Sequence, residues 1–336
     1  MASTNPVSRK SLLDLKEIVS LVEDDLVRVE ALFEEQVRSD VALVSEIGRY
    51  IREGGGKRVR PALLLLACRT CGYRGERAIL LASVVEFIHT ATLLHDDIID
   101  EATTRRGRRS VNSRWGNDVT VLLGDFLYTK SMSMALSQDN LRILRLLSDV
   151  TLRMIEGEIL EIERDADLAM SESDHIDIIK RKTAYLFSAC TRIGALLAGV
   201  PPEQEEALAS YGLNLGICFQ MIDDLLDFTA KEEVLGKPVA SDLREGKLTL
   251  PAIFLLQRSS GDGRDKVAAI LEDRGFARVP REELLRMARE SGAIDEARTL
   301  AVEYAALART DLAAFERSPF REALSCLPDF ILARDR

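Results

Sequence analysis

Residues Ala78 to Asp100 read AILLASVVEFIHTATLLHDDIID, and this stretch decides the fold. Its apolar run, free of Gly and Pro, predicts a long helix over 78–100 that ends on the acidic pentad Asp96-Asp97-Ile98-Ile99-Asp100. A second pentad, Asp223-Asp224-Leu225-Leu226-Asp227, ends another apolar helical run over about 203–229. Residues four apart share a helix face, so Asp96 stacks on Asp100 and Asp223 on Asp227. Two carboxylates about 4 Å apart repel by roughly 4 kcal/mol at an effective dielectric near 20. A cation resolves this, and hard oxygen donors without thiolate or imidazole partners favour Mg²⁺, which keeps waters and binds substrate phosphates as well. One such pentad could be a solvated acidic face; two, each following a Leu/Ile/Phe-rich stretch, point into a common cavity.

Outward from these two helices, helical spacing dominates and no convincing alternating strand is found. Leu12, Leu15, Val19, Val22, Leu26 and Val29 mark an opening amphipathic helix over 12–36. Gly54-Gly55-Gly56 ends the next helix, and Pro61 falls in the first turn of the one after it. A charged loop from Thr103 to Gly116 leads to helices at about 117–136, 140–164 and 174–199, with Pro201 and Pro202 as the next break. A loop is expected between Lys231 and Lys247, and Pro251 opens a helix that shorter ones follow. The expectation is an all-α, single-domain helical bundle over 1–336 around a deep central cavity, with a flexible N-terminus at 1–10.

The chain has 336 residues, 46% hydrophobic and 5% aromatic, enough for a large aliphatic core without a linker to divide it. A net charge of −10 argues against general nucleic-acid affinity. The polar N-terminus and the lack of an apolar run near eighteen residues predict a soluble, cytoplasmic protein without a transmembrane segment. Cys68-x-x-Cys71 lacks the second ligand pair of a zinc site and is read as part of an apolar helix.

Basic residues stand out against the acidic background. Lys57, Arg58 and Arg60 follow the triple glycine at a helix start, where free N–H groups favour anions. Arg105 and Arg106 follow the first pentad, and Lys182, Lys237 and Lys247 complete the set. Cations arranged about two acidic motifs suit a polyanion held by metal on one side and by ammonium and guanidinium groups on the other.

The motifs GGGKRVRP (54–61), LHDDIID (94–100) with Arg105-Arg106-Gly107, FQMIDDLLD (219–227), LGKP (235–238) and EGKLTLP (245–251) resemble the trans-prenyl diphosphate synthases. The resemblance runs from about residue 15 to the C-terminus. FIHTATLLH (87–95) and the ending REAL…RDR are most similar to the long-chain, octaprenyl-type members. It implies that Asp96, Asp100 and Asp223 hold Mg²⁺, three ions per site, on the diphosphate of an allylic substrate, farnesyl or a shorter primer. Asp97, Asp224 and Asp227 would support the metal shell. Arg105, Lys182 and Lys237 would contact the same diphosphate, with Lys247 nearby, while Thr183 and Gln220 steady transient positive charge. Isopentenyl diphosphate would be held by Lys57, Arg60, His89 and Arg106. The resemblance also suggests a homodimer whose product passes to membrane enzymes for quinone side chains.

Two further readings concern the first long helix. Glu86-x-x-His89 has the ligand spacing of di-iron bundles, which need a second such motif and two further helical glutamates; the expectation is that no second Glu-x-x-His accompanies it and that the di-iron reading fails for that reason. Thr92 and Ala91 lie about one turn, and Ile88 about two turns, before Asp96. A substrate tail anchored at the pentad would run back along this face, where a small Ala and a modest Thr leave room for a long product.

Overall fold

The computed structural model describes residues 15–229, 239–259 and 261–335. Among these the elements are almost entirely helical. The expected opening helix is two helices, α1 (Leu15–Ser20) and α2 (Glu23–Gln36), separated by a turn at Leu21-Val22; its first three positions lie outside the described residues, as does the N-terminus at 1–10. Then follow α3 (Ala42–Glu53), α4 (Val59–Thr70) and α5 (Arg77–Ile99), with Pro61 in the first turn of α4 as expected. The charged loop contains two elements that helical periodicity could not indicate. Thr104–Arg105 pairs antiparallel with Arg108–Arg109 in a two-residue hairpin, and α6 spans Val111–Trp115. After α7 (Asn117–Leu136) comes α8 (Leu141–Glu163), whose start is fixed by Asn140 Oδ1 accepting from the N–H groups of Arg142 and Ile143.

The helix expected over 174–199 begins earlier, at α9 (Glu172–Ile179), through a capping box between Ser171 and Asp174. A π-helical turn, Lys180–Ala184, joins it to α10 (Tyr185–Ala198). Next comes α11 (Pro202–Thr229), and the interval that was expected to be loop includes a short α12 (Ser241–Arg244). The chain closes with α13 (Leu250–Arg258), α14 (Gly261–Asp273), α15 (Arg281–Glu290), α16 (Ala293–Asp311) and α17 (Pro319–Leu332).

Helix α5 is apolar on all sides and is the centre of the bundle, packed on α7, α4, α2 and α10. By length and composition it could cross a membrane, contrary to the expectation that no run comes close, but 72% of its apolar window is buried inside the protein. Helices α10 and α11 pack on each other, α10 also on α4, and α11 on α16. Small residues permit the close crossings that position the polar groups. A Cβ on Gly124 of α7 would collide with the His95 ring, and one on Gly216 of α11 would lie 2.6 Å from Ala184 Cα in the π-helical turn. Cys68 is buried in α4 and, like Cys71, is a free thiol.

Candidate active site

Helices α4, α5, α8, α9 and α11, the π-helical turn and the segment before α13 surround one cavity of about 960 Å³. Both pentads reach it in the last turns of their helices, α5 ending at Ile99 and α11 at Thr229. The negative end of the helix dipole adds there to carboxylate repulsion, so both motifs demand positive charge. Asp96 lines the cavity; burial, with Glu158 and Asp100 adding their repulsion, pushes its carboxyl up to about 7. Asp223 lines the same cavity and is pushed up to about 6, chiefly by burial. Two basic side chains meet the demand: Lys247 Nζ is 2.9 Å from Asp100 Oδ1, and Arg334 Nη1 is 2.8 Å from Asp223 Oδ1.

The other three carboxylates of the pentads bond to protein groups. Asp97 is buried and accepts from Arg105 Nε at 2.7 Å. Asp227 is buried at the end of α11. Its Oδ1 accepts from Ser241 Oγ at 2.8 Å and from the Ser241 N–H, and its Oδ2 from the Asp242 N–H, anchoring the chain at the start of α12. Asp224 accepts from Gln220 Nε2 at 3.1 Å and lies 2.8 Å from His175 Nε2.

The first basic cluster divides by function. Arg58 has a left-handed backbone (φ 47°) and its guanidinium pairs with Glu30 and Glu86, which fixes the start of α4. Lys57 is exposed beside the cavity. Arg60 lies 3.0 Å from His89 Nε2 and stacks over Phe187 at 5.0 Å. Burial, together with the charges of Arg60 and Arg106, holds His89 well below the ordinary histidine value, so its imidazole is neutral and Nε2 accepts from Arg60. Arg106 donates to the Gly55 carbonyl, tying the hairpin to the glycine loop. Lys57, Arg60, His89 and Arg106 thus lie together along the cavity wall.

On the α8 side, Lys182 Nζ lies 2.9 Å from Glu158 and 2.5 Å from Glu161. Burial alone would lower this ammonium, but the two glutamates outweigh it and raise its pKa. Lys182 and Thr183 occupy the π-helical turn, a local widening that is frequent at functional sites. Thr183 Oγ1 donates to Gln220 Oε1 at 2.9 Å. Thr92 also lines the cavity, whereas Ile88 and Ala91 are buried in the core and are not on its wall. Lys237 and the LGKP motif lie outside the described residues.

Sequence reading did not single out Glu158, Glu161, His175 or Arg334 as site residues. Glu158 and Glu161, three apart on one helix face, carried a signal; the other two become visible only through tertiary contact. A second Glu-x-x-His does occur, Glu172 to His175, but the di-iron reading still fails. Glu86 is paired with Arg58, His89 with Arg60 and His175 with Asp224, and no ready-made cluster of three His, Cys, Asp or Glu ligands exists among the described residues. Sparse all-oxygen donors fit a small hard cation that keeps its waters and takes further oxygens from an anionic ligand.

Comparison with known proteins agrees with this geometry. A model of the polyprenyl synthetase family matches residues 41–285. Over 324 residues the chain is 40% identical to octaprenyl diphosphate synthase of Escherichia coli (strain K12), covering 96% of this chain and 100% of that one. It is 36% identical to the all-trans-nonaprenyl-diphosphate synthase (geranyl-diphosphate specific) of Rhodobacter capsulatus, with 96% and 99% covered. Among solved structures, a decaprenyl diphosphate synthase from Rhodobacter capsulatus superposes with a TM-score of 0.92 at 36% identity, covering 96% of this chain and 100% of that one. A polyprenyl synthase from Caulobacter crescentus, complexed with calcium and isoprenyl diphosphate, gives the same TM-score and identity, covering 97% and 100%.

Proposed function

The chain belongs to the polyprenyl synthetase family and is a prenyltransferase; from that premise we propose that it makes long all-trans polyprenyl diphosphates of the octaprenyl type. It would do so by repeated head-to-tail addition of isopentenyl diphosphate to an allylic diphosphate primer, farnesyl or shorter. The observation that carries this reading is the convergence of both acidic pentads and two separate basic groups on one cavity.

On this reading Lys182 and Lys247, with Arg105 and Lys237, hold the allylic diphosphate, and Asp96, Asp100 and Asp223 would hold Mg²⁺ against it. Three ions per site is the expected number. Bound Mg²⁺ would supply positive charge to the leaving diphosphate. The two lysines are already close to carboxylates, so an incoming diphosphate finds them oriented and partly desolvated. Lys57, Arg60 and Arg106 bind isopentenyl diphosphate, with neutral His89 keeping the Arg60 guanidinium in place. Holding both substrates in line makes the coupling effectively unimolecular. The allylic C–O bond breaks, the isopentenyl double bond attacks the resulting carbon cation to form a C–C bond, and a proton leaves to the departed diphosphate. Thr183 and Gln220 stand beside the cavity with oxygen atoms able to face that cation.

The tail is read as running past Thr92 toward α8. Ile155, Ile159 and Ile162 of α8 line the cavity, yet each is more than half exposed, as are Leu152 and, on α7, Leu122. This apolar stripe supports a homodimer in which a second copy covers α8 and completes the outer wall. We read the whole chain as one catalytic unit, cytoplasmic, passing its product to membrane enzymes for quinone side chains. Incubation with farnesyl diphosphate, labelled isopentenyl diphosphate and Mg²⁺, followed by mass analysis, tests the reaction. Products near eight isoprene units support it, and products that stop after one addition contradict the long-chain assignment.

A further inference from the structure

We propose that His175 is a positioning residue that sets the polarity of the cavity wall at Gln220 and Thr183; the inference rests on the prenyl-transfer reading above. His175 is on α9, 5% exposed, and no catalytic role follows from its sequence context. Its Nε2 lies 2.8 Å from Asp224 Oδ2, and the other oxygen of that carboxylate accepts from Gln220 Nε2 at 3.1 Å. Gln220 Oε1 in turn accepts from Thr183 Oγ1 at 2.9 Å. The four side chains, drawn from α9, the π-helical turn and α11, all line the cavity.

The direction of the hydrogen bonds is fixed from one end. Gln220 Nε2 donates to Asp224 Oδ1, which turns the Gln220 NH₂ toward the carboxylate, and the 2.8 Å contact of Asp224 Oδ2 with His175 Nε2 is a hydrogen bond when that ring nitrogen carries the proton. The Gln220 carbonyl then points to Thr183, whose only O–H is used in donating to it. What remains beside the cavity is the lone-pair side of the Thr183 hydroxyl and the outer lone pair of the Gln220 carbonyl. Preorganised acceptors of this kind stabilise a positive carbon more than the neutral ground state, so they act on the rate rather than on binding. Without the His175 N–H, Asp224 Oδ2 loses its partner at a site only 3% exposed, the carboxylate is free to rotate, and Gln220 is no longer held in one amide orientation.

The test is a single-turnover measurement with excess enzyme, farnesyl diphosphate, labelled isopentenyl diphosphate and Mg²⁺. It compares wild type, His175→Leu, His175→Gln, Gln220→Leu and the double variant His175→Leu/Gln220→Leu. His175→Phe replaces the leucine variant should that not fold. Binding is followed separately with farnesyl thiodiphosphate, which does not ionise readily. Wild-type coupling checks the prenyl-transfer reading independently. The expected result is a coupling rate lowered about 10- to 50-fold in His175→Leu, less than the loss of a direct transition-state contact. Thiodiphosphate affinity and the KM for isopentenyl diphosphate should stay within about twofold, as expected for an interaction made only in the transition state. His175→Gln, which retains an N–H donor, should recover most of the rate. The leucine substitution should have little further effect once Gln220 is Leu, as expected for coupled neighbours. Three results would overturn the assignment: an unchanged rate in His175→Leu, equal losses of rate and thiodiphosphate affinity, or full additivity in the double variant.

Discussion

Replacing Asp96 by asparagine should stabilise the metal-free protein while destroying its activity. Burial and the neighbouring carboxylates Glu158 and Asp100 carry the Asp96 carboxyl from an ordinary 3.8 to about 7. The sign follows from linkage: with a raised folded-state value, stability is fully present below the unfolded value and is lost as pH rises through the folded one. Ionising Asp96 in the fold at pH 8 therefore costs at most about 4 kcal/mol. Asp96 is only partly buried, so solvent screening reduces this to about 2 kcal/mol. For a chain of this size that corresponds to roughly 3 °C in melting temperature. Thermal unfolding of wild type and Asp96→Asn in chelator, from pH 8 down to pH 5, is the assay. The variant should melt higher at pH 8, with the gain shrinking as pH falls through 7. Adding Mg²⁺ with inorganic diphosphate should raise the wild type and close the gap. A variant that melts lower than wild type at pH 8, or a gain independent of pH, would refute the claim that Asp96 is held at an electrostatic cost.

Further outcomes follow from the same geometry. Lys57→Ala or Arg60→Ala should raise the KM for isopentenyl diphosphate by about tenfold or more, the loss of a charge-assisted contact, with little change in farnesyl diphosphate binding; steady-state kinetics with each substrate varied decides it. Thr92→Tyr should shorten the main product to three or four isoprene units while first-addition activity survives, because Thr92 is on the cavity wall; mass analysis of products checks it. Ala91→Tyr, by contrast, should overpack the core and lower stability by about 1–3 kcal/mol, read by denaturant unfolding. Gly216→Ala, with its Cβ set against Ala184 Cα, should displace the π-helical turn and reduce turnover even at temperatures where the protein stays folded; circular dichroism with an activity assay separates the two effects.

What the sequence disclosed was what depends on neighbours along the chain. Asp96 and Asp100, like Asp223 and Asp227, announce themselves because a helix alone fixes their spacing, and the Gly54–Gly56 break and Pro61 mark the start of α4 by local backbone chemistry. The division of the opening helix at Leu21-Val22 was not legible, since apolar periodicity continues through it, and the π-helical turn at Lys180–Ala184, a polar Lys-Arg-Lys-Thr-Ala stretch, contains no Gly or Pro to mark a change of helix type. The hairpin at Thr104–Arg109 was hidden because two residues per strand are too few to show alternation. His175 and Arg334 were invisible for a different reason: their partners, Asp224 and Asp223, lie 49 and 111 positions away, and only the packing of α9 and of the chain's end against α11 brings them together. The same packing separated Asp96 and Asp223, at the cavity, from Asp97 and Asp227, which hold Arg105 and the start of α12.

The central claim is that the two pentads act as one device on a single allylic diphosphate. Its most direct test is the single-turnover rate of adding one labelled isopentenyl unit to farnesyl diphosphate, measured for wild type with Mg²⁺, for wild type in excess chelator, and for Asp96→Ala and Asp223→Ala. The account predicts coupling only in the first case, with chelator and each substitution lowering the rate by about 10³-fold or more, as expected when a main source of transition-state charge stabilisation is removed. Near-normal coupling in chelator, or in either variant with its helical content intact, would contradict it.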